Sequence, residues 1–434
     1  MRETPSRRSF LARLGRGSAA AALIPGLDVL DITPGSAVPR LAHPAGDQDE
    51  SYWRLVRAQF PIRAGIIPMN AANLCPAPSP VIEATLRAAA DVDADVSFQN
   101  RARYGELLET LRGRLARYLG AAPDEIAIVR NTSEANNIIA GGVPLSAGDD
   151  VVVSDLNHPT NNVAWDVRAR RFGYTVRRVS FAETPGSEEQ ILSAFRSALS
   201  SRTRVLSFTD VSNSTGVRMP TKALCALGRE RGIHVHVDGA QSFGALRRDL
   251  RDLGCDSYAA SSHKWFMGPK EAGVLFVRAE RAADIWPGVV GVGWGSEADT
   301  ELVGARRFET LGQRNDATIA GMSAALDFHE LIGAERIEAR MLSLAGVLCE
   351  RLASIAGAAM VTPPAPSLRA GVCIVRLEGS SPQDLHESLY THHGIAGAPT
   401  GGLRLSPHIY NTMEDIEHAA EVVRVVAGSL PSRG

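Results

Sequence analysis

From Ser51 onward the chain alternates two periodicities. Val81 to Ala90 and Ala102 to Leu119 space apolar residues three and four apart with charges between them, which predicts helices. Glu125 to Val129 is a short apolar run ending at the polar cluster Arg130-Asn131-Thr132-Ser133-Glu134, and Ala135 to Ala140 then opens a helix. Val151 to Val153 reads as a strand ending in Asp155-Leu156-Asn157-His158-Pro159, and Tyr174 to Val179 as another. A helix is predicted over Glu188 to Leu199, and a strand over Arg204 to Phe208 that ends in Thr209-Asp210-Val211-Ser212-Asn213. Thr221 to Arg231 reads as a helix and Ile233 to Val237 as a strand closed by Asp238. Ser257 to Ala260 leads into Ser261-Ser262-His263-Lys264-Trp265, and Ala272 to Val277 is a last strand. This order predicts an α/β fold with a mostly parallel central sheet and helices on both faces. Such sheets bind ligands beyond the carboxyl ends of their strands. The polar clusters all lie at those ends, so several strands deliver residues to one crevice.

The pattern changes after about Ala317. Two long helices (Ala317 to Ile332, Ile337 to Ala353) precede a strand at Val372 to Leu377, a helix at Ser381 to Tyr390 and a strand around Leu403 to Ser406. The final helix is capped by Asn411 or Thr412, with Glu414 and Asp415 in its first turn. This reads as a smaller α+β domain over 317–434, beside a large domain over 51–316 whose residues 51–75 form an arm. The first 50 residues stand apart. Ser6-Arg7-Arg8-Ser9-Phe10-Leu11 followed by SAAAALIPGL (18–27) reads as a twin-arginine export signal, and 34–50 as a linker. That predicts passage through the twin-arginine translocase and a periplasmic or other extracytoplasmic location. The plainer alternative is a disordered basic tail.

Composition narrows the classes. With 44% hydrophobic residues, 22% charged residues and a net charge of −2, nothing points to nucleic acid or another strongly charged partner. Cys75, Cys225, Cys255, Cys349 and Cys373 form no CxxC pair or metal-ligand spacing and read as buried thiols.

The crevice residues then acquire a chemistry. Asp238 ends a buried strand, where an acid needs a partner. Thr132 and Ser133 lie at a helix start, which suits a phosphate. Ser261 and His263 flank Lys264, Gln241 follows Asp238 by one turn, and His158 can lie flat against a ring. A lysine for a Schiff base, an acid for a pyridinium nitrogen and a phosphate nest are what pyridoxal 5′-phosphate requires. One rival is a metal-dependent hydrolase. His234, His236 and Asp238 alternate along one strand and share a face. That rival leaves Lys264 and Arg404 unused. An inactive binding module is a third possibility, opposed by the intact Asp238, Lys264 and Arg404.

The motifs MNAANLCPAP (69–78), RNTSEANN (130–137), SDLNHPTNN (154–162), VSNSTGV (211–217), HVDGAQSFG (236–244), SSHKWFMGPKEAG (261–273), ETLGQRNDATIAGMSAALDF (309–328) and LRLSPHIYNT (403–412) together resemble the class V aminotransferases, from Tyr52 to the C-terminus. These are fold-type I pyridoxal-phosphate enzymes that include cysteine desulfurases and isopenicillin N epimerase-like proteins. The resemblance implies Lys264 as the Schiff-base lysine and proton shuttle, Asp238 on the pyridinium, Gln241 on the ring oxygen and His158 stacked on the ring. It implies Thr132, Ser133, Ser261 and His263 on the phosphate. It places Asn213 near the ring oxygen and substrate carboxylate, Arg404 on that carboxylate, and the backbone at Ala71 beside the substrate. It also implies a homodimer in which Gln313 and Arg314 reach the partner's pocket. Many relatives have Gly-Thr where this chain has Gly312-Gln313, and again where it has Glu271-Ala272. Arg314 resembles the epimerase-like branch. The stretch 394–402, where desulfurases carry a nucleophilic cysteine, has none. Transamination, epimerisation at the α-carbon and β-elimination from a cysteine-like substrate are the reactions expected.

Overall fold

The seven-stranded central sheet has the order β2 (Ile126–Val129), β8 (Gly273–Val277), β7 (Ser257–Ser261), β6 (His234–Asp238), β5 (Thr203–Thr209), β3 (Asp150–Ser154) and β4 (Thr175–Val179). It belongs to a computed structural model that describes residues 49–181, 184–291 and 303–429. The export-signal segment and the linker up to residue 48 lie outside the described residues. Strands β7, β6, β5, β3 and β4 pair in parallel, whereas β8 is antiparallel to both β7 and β2. The sheet is therefore mixed, with one reversed strand, which apolar content alone does not reveal.

Both faces are covered, so the inner strands are buried along their whole length instead of alternating. On one face Val152, Leu206, Val235, Val237, Tyr258 and Phe276 pack beneath α3 (Phe98–Tyr118), α6 (Glu188–Ala198), α7 (Thr221–Arg229) and α8 (Asp316–Ile332). On the other, Val151, Val153, Val205, Ala259 and Leu275 pack beneath α4 (Thr132–Gly142) and α5 (Pro159–Phe172). Helix α5 is absent from the sequence reading. Its arginines at 168, 170 and 171 blur the apolar stripe, yet a parallel β3-to-β4 connection needs a crossover. Its start is well defined: Pro159 sits in the first turn and His158 Nδ1 accepts the Thr160 N–H at 3.2 Å.

The C-terminal part carries an antiparallel sheet, β12 (Leu403–Leu405), β10 (Cys373–Leu377) and β9 (Ala358–Met360), packed against α9 (Ala334–Ala353), α10 (Pro382–His393) and α11 (Met413–Ser429). Thr412 is the cap of α11: its Oγ1 accepts the Asp415 N–H at 3.1 Å, and Asp415 Oδ2 accepts the Thr412 N–H at 3.0 Å. The amino-terminal segment begins with α1 (Glu50–Arg57), capped by Asp49, and α2 (Ser79–Ala94) follows it. Between them, β1 (Ile67–Pro68) pairs with β11 (Ile395–Ala396), and Asn70 bridges Ser406. The arm is thus stitched to the C-terminal sheet. All five cysteines are free and buried, and no helix among the described residues is long and apolar enough to cross a membrane.

Candidate active site

Asp238 is the last residue of β6 and is buried. The backbone can pass against the Tyr258 ring there because residue 239 is glycine: an added Cβ would lie 1.9 Å from that ring. One Asp238 oxygen accepts the Ala240 N–H at 3.1 Å, and the other accepts Asn136 Nδ2 at 2.8 Å. Lys264 follows β7 by three residues and is partly buried. Its loop is pinned by Ser262, whose N–H donates to Ala272 O, whose carbonyl accepts the Gly268 N–H and whose hydroxyl donates to Pro269 O. Met267 and Glu271 in this loop hold left-handed backbone, at φ 53° and 57°, which non-glycine residues adopt only at a cost. Burial lowers the basicity of the Lys264 amine, the Asp238 carboxylate opposes that shift and the Arg404 charge adds to it. Lysine, acid and arginine therefore share one electrostatic environment. His158 belongs to it too. Desolvation and Lys264 lower its pKa while Asp238 raises it.

Thr132 and Ser261 meet at the head of α4. The Thr132 N–H donates to Ser261 Oγ at 2.8 Å, and the two hydroxyls lie 2.7 Å apart. Asn131 caps the helix by accepting the Glu134 N–H, leaving Ser133 as the exposed residue of the first turn. Gly273 permits this approach, since a Cβ there would sit 2.4 Å from Ala260 O and 3.1 Å from Asn131 Cα. His263 is held neutral, its pKa pushed down to about 4 by burial and by Lys264 and Lys270. Of the predicted phosphate residues, Thr132 and Ser261 are thus in contact, with Ser133 and His263 next along their chains.

Arg404 lies on β12. Its Nη1 donates to Asn213 O and its Nη2 to Asn70 Oδ1, each at 3.0 Å, while its buried Nε has no partner. Burial pushes the guanidinium down to about 10. A buried cation without a carboxylate has the makings of an anion site. Ala71 is fully buried with its N–H on Ser406 O, next to Asn70. Gln241 donates from Nε2 to Ala72 O at 2.9 Å and accepts the Trp265 indole N–H at 2.8 Å.

The class V aminotransferase family model matches residues 70–419. The chain belongs to the class V aminotransferase family. Among curated relatives, it is 32% identical over 390 residues to an isopenicillin N epimerase of Amycolatopsis lactamdurans, covering 86% of this chain and 98% of the relative. It is 29% identical over 403 residues to a probable cysteine desulfurase of Methanothermobacter thermautotrophicus, with the same two coverages. The apo cysteine desulfurase of Thermococcus onnurineus NA1 superposes with a TM-score of 0.78 at 25% identity, covering 86% of this chain and 98% of that one.

Two of the expected roles for a class V aminotransferase belong to the partner's pocket, and within one chain their residues bond locally. Gln313 Nε2 donates to Arg314 O, and the Arg314 guanidinium donates to Ile128 O and Glu309 O. Arg314 thereby lies against the β2 edge, with Gln313 beside it. The metal reading fails on geometry: His234 and His236 both bond Ser257 Oγ, and no group of three His, Cys, Asp or Glu side chains among the described residues could hold an ion. Sequence reasoning missed Asn70, Asn136 and Trp265 as parts of the site. Asn136 had a signal: it lies one turn after Thr132, on the same helix face.

Proposed function

We propose that this chain is a pyridoxal 5′-phosphate enzyme acting at the α-carbon of an amino acid, as an aminotransferase or an isopenicillin N epimerase-like enzyme. The observation that carries this reading is the shared electrostatic environment of Lys264, Asp238 and Arg404, in which the carboxylate and the guanidinium both act on the amine. The residues fit the cofactor. A partly buried amine, an acid with two outside donors already fixed, a hydroxyl-lined helix N-terminus and an arginine with an orphaned Nε answer to its aldehyde, ring nitrogen, phosphate and amino-acid partner. When bound, pyridoxal 5′-phosphate supplies an electron sink for bonds at the substrate α-carbon. Asp238 would hold the proton on the ring nitrogen, and Gln241, with its carbonyl taken by Trp265, would offer an N–H to the ring oxygen. His158 would cover one ring face. Thr132, Ser133, Ser261 and His263 take the phosphate. Arg404, Asn213 and the backbone at Ala71 orient the amino acid. Lys264 Nζ, less basic than a solvated lysine, moves the α-proton.

A second reading is β-elimination from a cysteine-like substrate. A solved cystine C-S lyase in complex with cysteine persulfide has this fold, with a TM-score of 0.78 at 24% identity. Every cysteine here is buried, and burial raises the thiol pKa of Cys75 and Cys255 to about 12, so neither reading uses a protein-bound persulfide. The same proposal divides the chain into domains at 51–316 and 317–434, and makes the enzyme a homodimer with Gln313 and Arg314 serving the partner. A cavity of about 460 Å³ lined by Arg130, Ser133, Asn137, Arg168, Glu271 and Phe308 opens beside Ser133, on the phosphate side of the site. Export by the twin-arginine route completes it, supported by Arg7-Arg8. A reporter fused to residues 1–50 should be exported, and replacing both arginines by lysine should abolish that.

The deciding experiment records visible absorbance before and after borohydride and maps the reduced adduct. A yellow chromophore fixed onto Lys264 supports the proposal. A colourless protein that takes up no added cofactor overturns it. Keto-acid formation, ammonia release and loss of optical activity then separate the reactions.

A further inference from the structure

We infer that Asn136 is a positioning residue for Asp238, and that His236, Ser257 and His234 extend it into one buried hydrogen-bonded chain whose donors all point toward that carboxylate. The inference rests on the reading of Asp238 as the partner of the cofactor ring nitrogen. It starts from an oddity of β6. Val235 and Val237 face the apolar layer under α7, but the other face of the strand presents His234, His236 and Asp238 to α4, in a layer whose strand residues include Val151, Val153, Val205, Ala259 and Leu275. Polar groups in such a layer are tolerated only when each is satisfied.

The chemistry of each atom fixes the direction. An amide nitrogen only donates, so Asn136 Nδ2 gives its proton to Asp238 Oδ2 at 2.8 Å. The opposite flip would set two oxygens against each other. Asn136 Oδ1 therefore accepts, and the His236 Nε2 that lies 2.9 Å away carries a proton. Burial holds His236 neutral, its pKa pushed down to about 3, so its Nδ1 is bare and accepts from the Ser257 hydroxyl at 2.8 Å. The Ser257 oxygen in turn accepts from His234 Nε2 at 3.0 Å, and burial likewise pushes His234 down to about 4. The charged groups that act on His234 are Asp256, Arg281 and Asp284, and on His236 the neighbouring His234. Asn136, His236 and Ser257 are at most 2% exposed. With the Ala240 N–H on its other oxygen, Asp238 has its carboxylate plane fixed before any ring arrives.

The test uses the full-length protein. In ¹⁵N-histidine-labelled protein without added cofactor, NMR should show His234 and His236 as neutral Nε2–H tautomers from about pH 8 to about pH 6. An Nδ1–H tautomer or an imidazolium at His236 would overturn the chain. Asn136→Leu should weaken pyridoxal 5′-phosphate binding about tenfold or more and shift the long-wavelength band. Unchanged affinity and an unchanged band would overturn the positioning role. His236→Gln keeps an N–H at the Nε2 position and should bind near the wild-type level, whereas His236→Leu should not; equal impairment of the two overturns the link through His236. Because the tautomer pattern needs no cofactor, a wild-type protein that binds none refutes the functional proposal and leaves this pattern to be judged by itself.

Discussion

The Trp265 indole N–H donates to Gln241 Oε1 at 2.8 Å. That bond settles which way the Gln241 amide faces, because its carbonyl is consumed and its Nε2 must point toward Ala72 O and the crevice. Trp265 is in turn held by His408, whose Nε2 donates to the Trp265 carbonyl at 2.8 Å. Trp265→Phe removes the donor and leaves a smaller ring in a fully buried site. The expected result is a folded protein, weakened by roughly 1–3 kcal/mol, with a shifted long-wavelength band and a lower kcat. An unaltered spectrum would show that Gln241 needs no such guide.

Lys264→Ala should lower turnover by at least about 10³-fold while circular dichroism and the urea midpoint stay near the wild-type values. Normal turnover by this variant would discard the proposed chemistry.

Arg404 should discriminate by substrate carboxylate. Arg404→Lys loses the planar fork, and Asn70→Ala loses one of its two anchors. Each should reduce kcat/KM by about 10–100-fold, mainly through KM. Amines that lack the α-carboxylate should react equally with all three proteins. A uniform loss across both substrate classes would instead assign Arg404 to the fold.

The two ends of the site were unequally readable. Lys264, Asp238 and the Thr132–Ser133 turn follow strands whose apolar runs announce them. Asn70 and Asn136 act on side chains far away in sequence, and no local pattern encodes a partner. Helix α5 was missed because its arginines mask Trp165 and Ala164, its buried residues. The direction of β8 depends on a loop that Ser262 closes, so its apolar sequence looks the same either way.

Acid should destabilise the fold through its buried histidines. Burial holds His234 and His408 near 4 and His236 and His329 near 3, against an ordinary 6.5. The folded state keeps them neutral where the unfolded chain takes up protons. Their contribution is therefore intact above about pH 6.5 and lost as pH falls toward 4 and then 3. The urea midpoint should drop between pH 7.5 and pH 5. A midpoint that stays level would mean these rings titrate normally.

Arg112 is buried with both its Nη atoms on Glu309, whose Oε2 also accepts the Ile128 N–H at 2.6 Å. Arg112→Met strands that carboxylate and should cost about 3–5 kcal/mol, whereas Arg112→Met with Glu309→Leu should recover most of it. Urea unfolding of the four proteins of this cycle gives the coupling directly.

Arg404 and Asn70 meet across 334 residues of chain. No ribosome-bound fragment can contain this pair until residue 404 has been added, however early the central sheet collapses. The carboxylate pocket is consequently the last part of the site to exist in the life of each molecule. A nascent chain has no means of holding an amino acid there before Arg404 has been made.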